Sequence, residues 1–141
     1  KDAYVWGSIN SVEELGKVRM KAMNAFLRDY EEGKESGRYI FGSLPSLPFS
    51  NREFELALCS HYLFLYSDHV SQEQHISSIR ELCRVASEVR IYPVLSLDGN
   101  HSAHLEPVAS VLADHGIESS LKHVNYEFQK GATKMFVATS V

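Results

Sequence analysis

The strongest constraint on this chain is the alternation of apolar runs and capped helix-period segments between Glu55 and Thr139. Glu55–Ser60 (ELALCS) is a nearly continuous apolar run, the character of a strand buried on both faces in a helix-covered parallel sheet. Ser71, followed three residues later by Gln74, opens a helix as a capping box, and its apolar stripe is Ile76, Ile79, Leu82, Cys83 and Ala86. Val89–Leu95 (VRIYPVL) reads as the next strand, weakened at its far end because Pro93 has no N–H to donate to a ladder. Ser96–Ala103 reads as a loop. A third helix is expected from Leu105 to His115, with Pro107 tolerated in its first turn and Gly116 as its C-cap. Leu121–Phe128 and Lys134–Thr139 read as two strands joined by a short turn at Gln129–Ala132, a connection that only antiparallel neighbours can use. Strand–helix–strand units imply right-handed crossovers. The expected fold is therefore α/β, a mostly parallel sheet closed by a C-terminal antiparallel hairpin.

Upstream, residues 1–10 look irregular. Ser11 and Glu14 form a second capping box for a long amphipathic helix that stops at Gly33 and Gly37. Arg38–Gly42 (RYIFG) reads as a short strand, and Ser43–Asn51, with Pro45 and Pro48, as a loop.

Composition narrows the function classes. The 141 residues are 44% hydrophobic, enough for the core of a single domain. The net charge of −4 and the scattered Lys and Arg exclude the basic surplus of a nucleic-acid binder. No apolar run approaches the ~20 residues of a membrane helix, and no secretory signal opens the chain, so no membrane partner and a cytoplasmic location are expected. Cys59 and Cys83 read as reduced core thiols. His101 and His104 form an H-x-x-H pair without a third ligand of suitable spacing, so no metal is expected. Asp98-Gly99-Asn100 lacks the ligand ladder of a calcium loop, and Cys59 lacks the context that activates a nucleophilic thiol.

Several strings, taken in order, resemble the later part of a class I S-adenosylmethionine-dependent methyltransferase. Gly42-Ser43-Leu44-Pro45-Ser46-Leu47-Pro48-Phe49 is similar to the G-D-x-x-x-L-P-F segment after that family's third strand. Phe54–His61 is similar to its F-D-x-V fourth strand, and Leu82-Cys83-Arg84-Val85-Ala86 to its L-x-R-V-L-K passage into strand five. Cys59–Ser67 and Tyr126–Gly131 look especially close to a bacterial subfamily known only as methyltransferases. The resemblance covers roughly residues 38–141. It implies a partial Rossmann-like methyltransferase fold, with residues 38–141 supplying strands three to seven and residues 1–37 a linker and the long helix.

The same resemblance implies S-adenosylmethionine as cofactor and a small-molecule methyl acceptor. Ser43 and Leu44 would face the adenine, although the family commonly has Asp where this chain has Ser43, and a loop serine also satisfies its own backbone. Ser60 would lie on the cofactor wall at the strand's C-terminal end, where ligands of open α/β sheets bind. His61 would be a general base, against the plainer reading of a helix-entry histidine bonded to backbone. Tyr62, Phe64 and Tyr66 would line the acceptor pocket, against the plainer reading of core aromatics.

The departure is at the front. None of the eight glycines stands two positions from another, so the G-x-G cofactor turn is missing, as are the family's first two strands. The chain also opens at Lys1, which sets the expectation of a C-terminal portion that binds cofactor poorly alone. In the family's sheet order, 3-2-1-4-5-7-6, removing strands one and two bares the flank of Glu55–Ser60. The alternative is accordingly a non-catalytic α/β fragment that forms homo-oligomers through its exposed sheet edges. The absent phosphate-binding Gly loop argues against a different nucleotide-binding enzyme.

Overall fold

A computed structural model describes residues 3–141. The chain divides into two compact units, Val5–Gly42 and a larger one built from Ser43–Val141 with Ala3 and Tyr4.

The smaller unit is one long helix and its C-terminal tail. Helix α1 spans Val12–Glu35. Ser11 caps it by accepting the Glu14 N–H at 3.0 Å, while the Glu14 carboxylate takes the N–H of Asn10 (2.8 Å) instead of that of Ser11. The expected reciprocal box is thus displaced by one residue. The expected strand Arg38–Gly42 does not form. Arg38 instead makes a two-pronged ion pair with Asp29 (2.7 and 2.8 Å), and the Tyr39 hydroxyl donates to the same carboxylate at 2.9 Å. These bonds turn the tail back against the helix, leaving no extended backbone for a ladder. Gly33 makes this turn possible, because any Cβ there would strike the Tyr39 ring.

The larger unit carries β1 (Phe54–Ser60), α2 (Gln72–Val85), β2 (Ala86–Tyr92), α3 (Leu105–Asp114), β3 (Ile117–His123) and β4 (Lys134–Ser140). It is a mixed α/β unit with a four-stranded open sheet in the order β1-β2-β4-β3. β1 and β2 run parallel, and β4 is antiparallel to both β2 and β3. The α2 cap is complete: Ser71 Oγ accepts the Gln74 N–H (3.1 Å) and Gln74 Oε1 accepts the Ser71 N–H (2.8 Å). Strand β2 follows α2 directly and stops before Pro93, for want of a donor there.

Alternation sorts the strands into two faces. Ala57, Cys59, Val89, Ile91, Phe136 and Ala138 pack with Ile79, Val108 and Leu112 into one core, and both α2 and α3 lie on that side. Ile79, Val89, Ile91, Val108 and Leu112 are fully buried. Each such side chain contributes about 2 kcal/mol by leaving water. The opposite face carries Leu56, Leu58, Glu88, Arg90 and Val137.

Two expectations fail here. β1 is not buried on both faces: Leu56 and Leu58 are 46% and 68% exposed, because β1 is the sheet's edge and both helices of this unit sit on the other side. The third strand is Ile117–His123, not Leu121–Phe128. Gly116, at φ +75°, turns α3 straight into β3, so the strand starts four residues early and 124–133 becomes a loop instead of a tight turn. Among the described residues no helix is long and apolar enough to cross a membrane.

Candidate functional site

The site is built where β1 ends. His61 lies in the left-handed region at φ +60°, its N–H bonded to the Tyr92 carbonyl at 2.8 Å, and Phe64 follows at φ +67°. Left-handed backbone is costly for residues with a Cβ and collects where function requires it. The surroundings hold this stretch in place. His75, fully buried on α2, accepts the Phe64 N–H at Nε2 (2.8 Å) and contacts the Ser71 carbonyl through Nδ1 (2.8 Å). A carbonyl only accepts, so the proton sits on Nδ1 and the ring is neutral. Burial pushes its pKa below the usual 6.5, the Ser71 carbonyl opposes this, and nearby His104 adds to the fall. The His75 ring stacks on that of Phe64, with centroids 5.1 Å apart. His104 reaches the Ser67 carbonyl at 3.0 Å, tying the far end of the same stretch to α3.

Ser60 and His61 open onto a cavity of about 220 Å³ at the C-terminal ends of β1 and β2, walled by Leu58, Cys59, Arg90, Tyr92, Val124, Tyr126 and Met135. Leu58, Ser60, Arg90 and Tyr92 share one sheet face by their register, and the 124–126 segment forms the facing wall. Tyr92 fixes that wall. Its hydroxyl donates to the Ala132 carbonyl (2.8 Å) and accepts the Phe128 N–H (3.1 Å). Burial raises the Tyr92 phenol pKa, with the Phe128 N–H opposing. Phe128 meets the His61 ring edge-on at 5.1 Å, and Tyr4 packs on Phe128 from 5.0 Å.

His61 Nδ1 and Ser60 Oγ lie 2.5 Å apart, which fixes the ring's rotation. In the tautomer that carries its proton on Nδ1, this contact is a donation to Ser60 and Nε2 is the proton acceptor, the arrangement of a base oriented by a second group. The Arg90 side chain spends its Nε on Glu88 (2.9 Å) and makes no other hydrogen bond among the described residues.

The other expected site residues lie apart from this cavity. The Ser43 hydroxyl bonds the neighbouring Leu44 carbonyl at 3.3 Å, the self-satisfied loop serine of the plainer reading. The Leu44 side chain is partly buried against the core. Phe64 is completely buried between His75 and Phe136, so its ring is a core element and not a pocket wall. Tyr62 and Tyr66 are exposed outside the cavity lining. Asp98 is occupied locally, accepting from the Ser96 hydroxyl and the Asn100 N–H. The two thiols are protonated, since burial raises the pKa of Cys59 and pushes that of Cys83 up to about 11. Among the described residues no three His, Cys, Asp or Glu side chains converge as a metal site.

Sequence reasoning missed Arg90, Tyr92, Val124, Tyr126 and Met135 as cavity residues. Alternation along β2 puts Arg90 and Tyr92 together on one face. The partnership with Val124 and Tyr126 has no local signal, because their alternation with Phe128 is that of a strand.

No family model matches the chain, and no solved structure matches it. An uncharacterized protein of the archaeon Methanocaldococcus jannaschii is 31% identical over 137 residues, covering 97% of this chain. The chain spans 59% of that relative's length.

Proposed function

We propose that this chain supplies the strand-four-to-seven part of a Rossmann-like, class I S-adenosylmethionine-dependent methyltransferase acting on a small molecule. One observation carries the reading. The sheet order β1-β2-β4-β3, with β4 reversed between two neighbours, corresponds to the family's strands four, five, seven and six. A reversed strand inserted beside a parallel pair is a topological choice that generic α/β packing does not require. The corner after Ser60, left-handed at His61, at the C-terminal end of β1 adds support, because ligands of open α/β sheets bind there.

In this reading the cofactor provides the activated methyl group, with Ser43, Leu44 and Ser60 on its side of the site. His61 takes the acceptor's proton, and the Tyr92-anchored 124–132 segment orients the acceptor and excludes water. The two unpaired thiols support a reducing, cytoplasmic setting.

The test is a calorimetric titration of S-adenosylhomocysteine into the full-length archaeal relative and into this chain. Micromolar binding to the relative, with at most millimolar binding to the 141-residue chain, is expected. A relative that does not bind overturns the methyltransferase reading.

A second reading, an interaction module that self-associates through its sheet edge, is favoured by one observation. The edge strand β1 presents exposed Leu56 and Leu58 beside an open backbone ladder. Sedimentation of this chain as a monomer at high concentration would count against it.

A further inference from the structure

The cavity beside His61 has a chemistry that narrows what can occupy it. Its volume, about 220 Å³, lies below the ~300–1,000 Å³ of pockets for drug-sized ligands. One ring fits, whereas a bicyclic nucleoside is too large. The walls are mostly apolar, with polar groups at two ends. Arg90 stands opposite Leu58 in the strand register, and Tyr92 stands opposite Ser60 one pleat further along. One pleat repeat, about 6.6 Å, therefore separates the Arg90 and Tyr92 backbone positions, which puts the guanidinium and the Ser60–His61 corner at different places along the lining.

Each end has an unfilled bonding role. Glu88 holds only the Nε of Arg90, leaving the outer edge of the guanidinium free for a second carboxylate. Ser60 holds only Nδ1 of His61, leaving Nε2 for a hydroxyl. Between them, the apolar surface comes from the exposed side chains of Leu58 and Tyr126, while the buried Tyr92 ring, packed against His61 and Tyr126, braces the wall from behind.

We propose that this cavity binds a monocyclic aromatic acid, with its carboxylate on Arg90, its ring against Leu58 and Tyr126, and a para hydroxyl on His61. The binding stands on this geometry alone. The further step, that such acids are the methyl acceptors, rests on the methyltransferase reading.

The test is a two-dimensional NMR titration of the 141-residue chain, without cofactor, using 4-hydroxybenzoate, benzoate and phenol in turn. Saturable shifts at the Leu58, Ser60, His61, Tyr92 and Val124 amides are expected, with 4-hydroxybenzoate binding most tightly. A charge-assisted hydrogen bond of the usual strength makes Arg90→Gln weaken both acids about tenfold and leave phenol unchanged. His61→Gln should weaken 4-hydroxybenzoate and phenol and leave benzoate unchanged. Each variant's own spectrum reports whether the fold is kept. If one variant fails to fold, the three-ligand ranking on the unaltered chain decides. Shifts elsewhere, no shifts, or phenol binding as tightly as 4-hydroxybenzoate overturns the proposal. With no cofactor in the tube, such a failure leaves the methyl-transfer reading untouched. Failure of the relative to bind S-adenosylhomocysteine leaves this one untouched.

Discussion

The Nε2 of His75 accepts the Phe64 N–H at 2.8 Å, so a buried imidazole on α2 holds the left-handed turn that follows the strand-end histidine. The bond exists only while His75 is neutral, since protonation would turn its acceptor nitrogen into a donor.

A pH dependence follows from this bond. Unfolded His75 titrates near pH 6.5, and burial holds the folded value lower. The folded state therefore binds fewer protons, and stability rises with pH across the gap. The His75 contribution is complete above about pH 6.5 and is lost as the pH falls through the lower folded value. Urea denaturation should show it, with the dependence below pH 6.5 reduced in His75→Gln. At neutral pH that variant should lose roughly 1–3 kcal/mol for the disturbed buried hydrogen bonds. An unchanged acid limb in the variant would assign the acid sensitivity to other groups.

Tyr92→Phe removes the hydroxyl that joins the Ala132 carbonyl and the Phe128 N–H. The expected loss is about 1–2 kcal/mol. Hydrogen exchange should rise at Phe128 and Ala132 and stay unchanged in the core of α2. Exchange spread evenly over the unit would mean that Tyr92 stabilises globally and does not serve as the local anchor of the cavity wall.

Leu56→Lys places a charge on an exposed edge position. Stability should change by less than about 0.5 kcal/mol, as is usual for surface sites. Any self-association of the unaltered chain, followed by analytical ultracentrifugation, should weaken, because edge charges oppose strand pairing. Association that survives the substitution would have to use another surface.

Gly33→Ala forces a methyl group against the Tyr39 ring. Alanine gains about 1 kcal/mol of helix propensity, but the clash costs more, and a net loss of about 1–2 kcal/mol is expected. The effect should stay within the Val5–Gly42 unit. Faster exchange at Arg38 and Tyr39, whose N–H groups bond the Gly33 carbonyl, is the local sign to look for.

Cys83, with its pKa pushed up to about 11 by burial, should resist alkylation at neutral pH. Mass spectrometry after iodoacetamide treatment should find it modified only once the chain is unfolded. Modification at the rate of a free thiol would mean that α2 opens readily.

Local chemistry made some elements legible. The α2 helix was readable because Ser71 and Gln74 bond within one turn, and β4 because KMFVAT strongly favours extended backbone. The strand expected at Arg38–Gly42 had equally good local propensity, yet Asp29, nine residues away from Arg38, captured it. The third strand was misplaced because Val124, Tyr126 and Phe128 alternate like a strand. Their segment is instead held by Tyr92, 34 residues before Tyr126. Within the candidate site, Ser60 and His61 were visible as a strand end, whereas the walls came from distant chain.

The sequence by itself determined the strand–helix alternation from β1 onward, the Ser71 cap of α2 and the presence of the last strand, because each depends on neighbours within a few bonds. Tertiary structure decided that β1 is an edge with one bare face. It also decided that Phe64 belongs to the core, and that Arg90, Tyr92 and Tyr126 meet around His61. Those outcomes depend on which surfaces pack together and which hydrogen-bond partners arrive from far along the chain, and no local pattern encodes that.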